Sequence, residues 1–197
     1  MKFVLATRNA HKATELKRIL EELDLDCELL TVADFPDAPE VEETETTFEG
    51  NALLKARALA KFTGLAAIAD DSGICVDALD GNPGVLSARW SGATENVDQA
   101  NLELVLEQIS EVDERNRGAH FMCAAVAVFP DGTELIATGK MHGSLLRKPQ
   151  GSNGFGYDPI FVPTGFTKTT AEMSASEKDA ISHRGIALKD LALKIKG

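Results

Sequence analysis

The sequence predicts an α/β fold built on a mixed β-sheet, and three observations carry that prediction. A short apolar run, KFVLA at 2–6, passes directly into helical spacing. A second apolar run, LAAIA at 65–69, follows a helix signal that closes on Gly64. Two strand-type stretches, 119–129 and 133–138, flank Pro130-Asp131-Gly132 and read as a hairpin. Early alternation of strand and helix followed by a hairpin places both pairing directions in one sheet.

The elements follow in order. After the first strand comes a polar turn, Thr7-Arg8-Asn9. From Ala10 onward, Ala13, Leu16, Ile19, Leu20 and Leu23 recur at helical intervals. Thr7, Asn9 and Lys12 therefore lie near a helix start, where backbone N–H groups favour a phosphate, although this segment alone fits a plain strand-to-helix turn better. Thr46-Thr47-Phe48-Glu49 fits a capping box and opens a second helix to about Phe62. Asp70-Asp71-Ser72-Gly73 is expected at the end of the strand that follows, and ICVDAL comes next. A glycine-rich loop spans Asp80 to Gly92. Leu102, Val105, Leu106 and Ile109 mark one face of a helix over 97–109. Ser174-x-x-Glu177 is another capping box, and HRGIALKDLALKIK closes the chain as an amphipathic helix.

The totals exclude several classes. At 197 residues the chain holds one well-cored domain, with room for two lobes around a cleft. With 44% apolar and 26% charged residues, the composition argues against disorder. There is no membrane-spanning apolar run, and the N-terminal apolar stretch is too short for a signal peptide. Cys27, Cys75 and Cys123 are far apart and form no C-x-x-C pair, which points to reduced thiols in a cytoplasm. The net charge of −11 looks hostile to an anionic substrate, but it is local: twelve acidic residues and no basic one lie between Arg18 and Lys55. Without that segment the chain is close to neutral.

The chemistry concentrates in three places. Asp70 and Asp71 supply paired carboxylates of the kind a hard divalent ion prefers. On an extended chain only one of them would face a ligand, and the residues do not say which. The same triplet Asp71-Ser72-Gly73 matches aspartic proteases, but Asp70 precedes it where they carry an apolar residue. GFGYDPIF at 154–161 and SEKDAISHRG at 176–185 combine glycines, the aromatic faces of Phe155 and Tyr157, and Asp158. They add the charges of Lys178 and Arg184 and the imidazole of His183. That mixture suits something flat and anionic, such as a nucleotide. Gly151-x-x-Gly154-x-Gly156 is not a dinucleotide fingerprint, because no strand-to-helix turn surrounds it.

Taken together these segments resemble the dITP/XTP (inosine triphosphate) pyrophosphatase family. LATRNAHK at 5–12, EETETTFEGNALLKA at 42–56, ADDSG at 69–73 and GNPGVLSARWSG at 81–92 match in order, followed by GFGYDPIF and EKDAISHRG. Arg8 departs from the glycine many relatives carry, and Ala10 and His11 occupy variable positions within the same phosphate turn. The resemblance implies a single domain over 1–197, an elongated mixed sheet flanked by helices, and two lobes with a central cleft. It also implies a homodimer that binds neither nucleic acid nor membrane. The implied activity is Mg²⁺-dependent hydrolysis of ITP, dITP and XTP to monophosphate and pyrophosphate. Glu42 and Asp71 would hold the metal, with Asp71 as base. Thr7, Asn9, Lys12 and Ser72 would hold phosphates, with Asn51 and Lys55 as weaker candidates. Phe155, Gly156, Tyr157, Asp158, Lys178, His183 and Arg184 would complete the pocket. A non-catalytic purine nucleotide-binding module is the alternative.

Overall fold

The computed structural model describes residues 2–23 and 27–197. Asp24 and Asp26 of the acidic segment lie outside the described residues. Strand β1 (Lys2–Leu5) leads into α1 (Ala10–Glu22), then β2 (Glu28–Thr31) and α2 (Phe48–Thr63). Next come β3 (Ala66–Val76), α3 (Val97–Gln108), β4 (Gly118–Val128), β5 (Glu134–Leu145) and β6 (Phe161–Pro163). Helices α4 (Ala175–Ile181) and α5 (His183–Lys196) close the chain. Among the described residues the six strands form one sheet in the order β2-β1-β3-β4-β5-β6. β1 runs parallel to both β2 and β3, and β6 runs antiparallel to β5, so the sheet is mixed.

The chain divides into two compact units. One comprises Met1–Asp71, Cys123–Gly139 and Arg184–Gly197; the other comprises Ser72–Met122 and Lys140–His183. In the first unit the sheet is apolar on both faces. Phe3 and Leu5 of β1 and Ala66 and Ile68 of β3 pack with α1 and α5 through Leu16, Leu20, Leu188 and Leu191. Val4 of β1 and Ala67 and Ala69 of β3 pack on the other face with Ala52, Ala56 and Leu59 of α2. Continuous apolar runs are what a strand covered on both faces requires. The second unit closes a core of its own, in which Ile74 and Val76 of β3 meet Leu102 and Val105 of α3, Phe121 and Phe161.

Several local expectations are corrected. Asp70-Asp71-Ser72-Gly73 does not end its strand, because β3 continues through it to Val76. The cap of α2 is Thr47, not Thr46: its hydroxyl accepts the Gly50 N–H at 3.1 Å. Glycine at that third helical position has no carboxylate to complete a box. The box at Ser174 forms as expected, with Ser174 N–H donating to Glu177 at 2.8 Å. β2 and β6 carry too few apolar residues to announce themselves; neighbouring strands make them. Among the described residues no helix is long and apolar enough to cross a membrane.

Candidate active site

Alternation along β3 decides what the two aspartates do. Asp70 shares the parity of Ala66 and Ile68, the face covered by α1 and α5. Asp71 shares that of Ala67 and Ala69, the face covered by α2. Their partners agree. The Asp70 carboxylate lies 3.4 Å from the Lys12 ammonium of α1 and 3.3 Å from the Arg184 guanidinium of α5. The same guanidinium forms a short ion pair with Glu15 of α1. Asp71 instead accepts from Asn51 of α2 at 3.3 Å and lies 3.5 Å from the Lys55 ammonium, which also holds Glu43 at 2.8 Å.

These surroundings push the two carboxyls apart. Complete burial would raise Asp70, but Lys12, Arg184 and Lys55 outweigh it and hold the group well below the usual carboxylate range. Asp71 is raised. Burial is the main cause, Glu43 and Asp70 add to it, and Lys55 and Lys12 offset it only in part. The two neighbouring carboxyls are thus displaced in opposite senses. Asp70 is a permanent anion that anchors cations, whereas Asp71 is the better proton acceptor.

The turn before α1 is built around its cap. Asn9 Oδ1 accepts the N–H groups of His11 at 3.0 Å and Lys12 at 3.1 Å, and Thr7 Oγ1 accepts the Asn9 N–H at 3.3 Å. Two of the N–H groups expected to meet a phosphate are thus capped by the chain itself. Arg8 donates to the Ala38 carbonyl at 2.7 Å, which fixes the turn against the segment before α2. Ala10 and His11 are exposed on the first turn of α1, and Glu42 is exposed in the coil before α2.

In the second unit the 154–158 loop folds around a carboxylate. Asp158 accepts from Phe155 N–H at 2.9 Å, Lys178 at 2.6 Å and Thr170 at 2.8 Å, and it is buried. The Lys178 ammonium also sits 5.3 Å from the centre of the Phe155 ring. Phe155 is half-buried. Tyr157 does not offer the flat face foreseen for it: its ring lies in the core and its hydroxyl donates to the Ser87 carbonyl at 2.8 Å. The expected role of Asp158 at a heterocycle's edge is likewise corrected, since its oxygens are used to hold the loop. Arg184, expected to face a ligand, is buried on Asp70 and Glu15, and His183 is stacked on Phe121 at 4.9 Å. Ser72, half-buried, follows Asp71 on β3.

Gly154 has a φ of +73°, and a Cβ there would lie 2.0 Å from Asp158 Oδ2. Gly154→Ala is expected to cost about 1–2 kcal/mol from the backbone alone. That lowers the melting temperature by roughly 2–8 °C, as a thermal melt would show.

Glu15, Glu43 and Thr170 were missed by sequence reasoning. Glu15 had a signal: with Lys12, Leu16 and Ile19 it falls on one stripe of α1, and a carboxylate in an apolar stripe needs a partner. Glu43 and Thr170 had none.

The sequence profile of the Ham1 family matches residues 3–194. The chain belongs to the Ham1 family. A dITP/XTP pyrophosphatase of Streptomyces avermitilis is 55% identical over 96% of this chain and 94% of that relative. A Ham1 protein of Coxiella burnetii shares the fold with a TM-score of 0.89 at 39% identity, covering 100% of this chain and 98% of that one. A dITP/XTP pyrophosphatase of Mycobacterium abscessus superposes with a TM-score of 0.79 at 52% identity, over 97% and 98% of the two chains. The fold expected from the resemblance, α/β with a mixed sheet, is that of these Ham1 structures.

Proposed function

We propose that this chain is a nucleoside triphosphate pyrophosphatase that converts ITP, dITP and XTP to the monophosphate and pyrophosphate. The relatives' names support the activity, and the divided roles of Asp70 and Asp71 carry the chemistry. A water oxygen attacks the α-phosphorus, its proton passes to Asp71, and the bond to the oxygen bridging to the β-phosphorus breaks. Pyrophosphate leaves with that electron pair. Lys12, Lys55, Thr7, Asn9 and Ser72 neutralise or hydrogen-bond the phosphate oxygens, with lysine acting as a point charge. Phe155 stacks on the purine, Lys178 and Asp158 fix Phe155, and His183 reads the ring edge. Arg184 acts through Asp70.

We infer that Asp71 and Glu42 would hold a hard divalent cation. Burial and the adjacent charges of Glu43 and Asp70 raise Asp71, and a cation would relieve that crowding. Mg²⁺ is usually held by one or two carboxylates together with substrate phosphates, and Asp71 with Glu42 supplies two. It would neutralise charge on the phosphate oxygens and ease ionisation of the water. The protein acts as a homodimer in the cytoplasm, where deaminated purine nucleotides arise, and residues 1–197 serve as one functional domain.

A panel of nucleoside triphosphates tests the reading. Pyrophosphate should appear from ITP, dITP and XTP, much less from ATP and GTP, and only with a divalent cation present. Binding of ITP without pyrophosphate release would leave a nucleotide-binding module instead.

A further inference from the structure

Phe155 lies between two glycines in left-handed backbone, Gly154 at φ +73° and Gly156 at φ +60°. Such a stretch has little stiffness of its own, so the direction in which the ring faces must be fixed from outside. Two carboxylates hold successive N–H groups of this loop. Asp158, within the loop, takes that of Phe155 at 2.9 Å. Asp98 of α3 takes that of Gly156 at 3.0 Å, from 58 residues away.

α3 is well placed to serve as a fixed support. One turn beyond Asp98, on the same helical face, stands the buried Asn101. Its oxygen accepts from the Ser91 N–H and hydroxyl, both at 2.7 Å, and its amide donates to the Ser87 carbonyl at 3.2 Å. That carbonyl is also the acceptor for the Tyr157 hydroxyl. At the far end of the helix the fully buried Arg117 donates to the Ile109 carbonyl at 2.6 Å and to Leu145 and Leu146 at 2.9 Å. Burial, helped by the Asp98 charge, pushes the Tyr157 phenol above its ordinary value, so it remains a donor. A pocket of about 460 Å³ is walled by the start of α3, including Asp98 and Leu102, and by Gly154, Phe155 and Gly156. The Asp98–Gly156 hydrogen bond ties those two walls together.

We propose that Asp98 is a positioning residue: it sets the pose of the Phe155 loop, and through it the fit of the purine. This rests on the nucleotide-hydrolase reading above. Asp98 touches no reacting atom, so its loss should weaken substrate binding and leave the chemical step alone. Asp98→Ala is expected to raise KM for ITP roughly five-fold, as loss of one charge-assisted hydrogen bond at an exposed site would, with kcat nearly unchanged. Asp98→Asn retains an oxygen that accepts the Gly156 N–H and should restore most of the KM. Steady-state kinetics of the three proteins, with a thermal melt of each, decide it. A wild-type KM in Asp98→Ala overturns the inference alone, as does a loss of kcat and melting temperature together that Asp98→Asn fails to rescue. Wild-type protein that releases no pyrophosphate from ITP overturns the functional reading and the inference with it.

Discussion

Asp71→Asn should reduce pyrophosphate release from ITP by about 10²–10⁴-fold, the range expected when a general base is removed. The fold should survive. Asparagine keeps one acceptor oxygen, enough for either the Asn51 amide or the Lys55 ammonium, which the two carboxylate oxygens now serve separately. It also removes a charge from a place where Glu43 and Asp70 already crowd it. Single-turnover kinetics alongside a thermal melt make the comparison. Turnover near wild type would remove Asp71 from the chemistry, and a collapsed melting temperature would reassign it to structure.

The same exchange one residue earlier should have the reverse outcome. Asp70→Asn leaves Arg184, buried and still paired with Glu15, without its second anion, and Lys12 without its ion pair. Removing one partner of a buried ionic cluster typically costs about 3–5 kcal/mol. For a chain of this size that corresponds to a fall of roughly 6–20 °C in melting temperature. The pH dependence has a definite sign. The folded carboxyl is held below its ordinary value of 3.8, so its stabilisation is full above that pH and is lost as pH falls below it. Wild-type protein should show this acid limb in its melting temperature, and Asp70→Asn should show less of it. Equal melting curves for the two proteins would mean that Asp70 anchors nothing.

This contrast shows where the sequence stopped. The ADDSG segment stood out in the sequence as a candidate, because two adjacent carboxylates follow an apolar run. The different surroundings of the two aspartates were not legible. They follow from strand parity, and parity has no meaning until it is known that β3 continues past Gly73 and which helix covers each face. LAAIA gave no such warning, because a strand buried on both sides is apolar at every position.

The aromatic segment shows the same limit. GFGYD contains two rings at i and i+2, equivalent as a string. One faces the pocket and the other fills the core because the Ser87 carbonyl, 70 residues away, accepts the Tyr157 hydroxyl. Arg184 likewise reads as a cation for a ligand until Glu15, 169 residues earlier in the chain, is found beside it.

The sequence by itself determined the α/β class, the helices with clear apolar stripes, the hairpin and the family, since each rests on local spacing or on motifs in register. Tertiary structure alone decided which carboxylate is neutralised, which is left raised, and which charges are structural. Those properties come from burial and from charges brought close by distant segments, and no spacing along the chain encodes them. Asp70 and Asp71, adjacent and chemically identical, differ only in what the fold places against each.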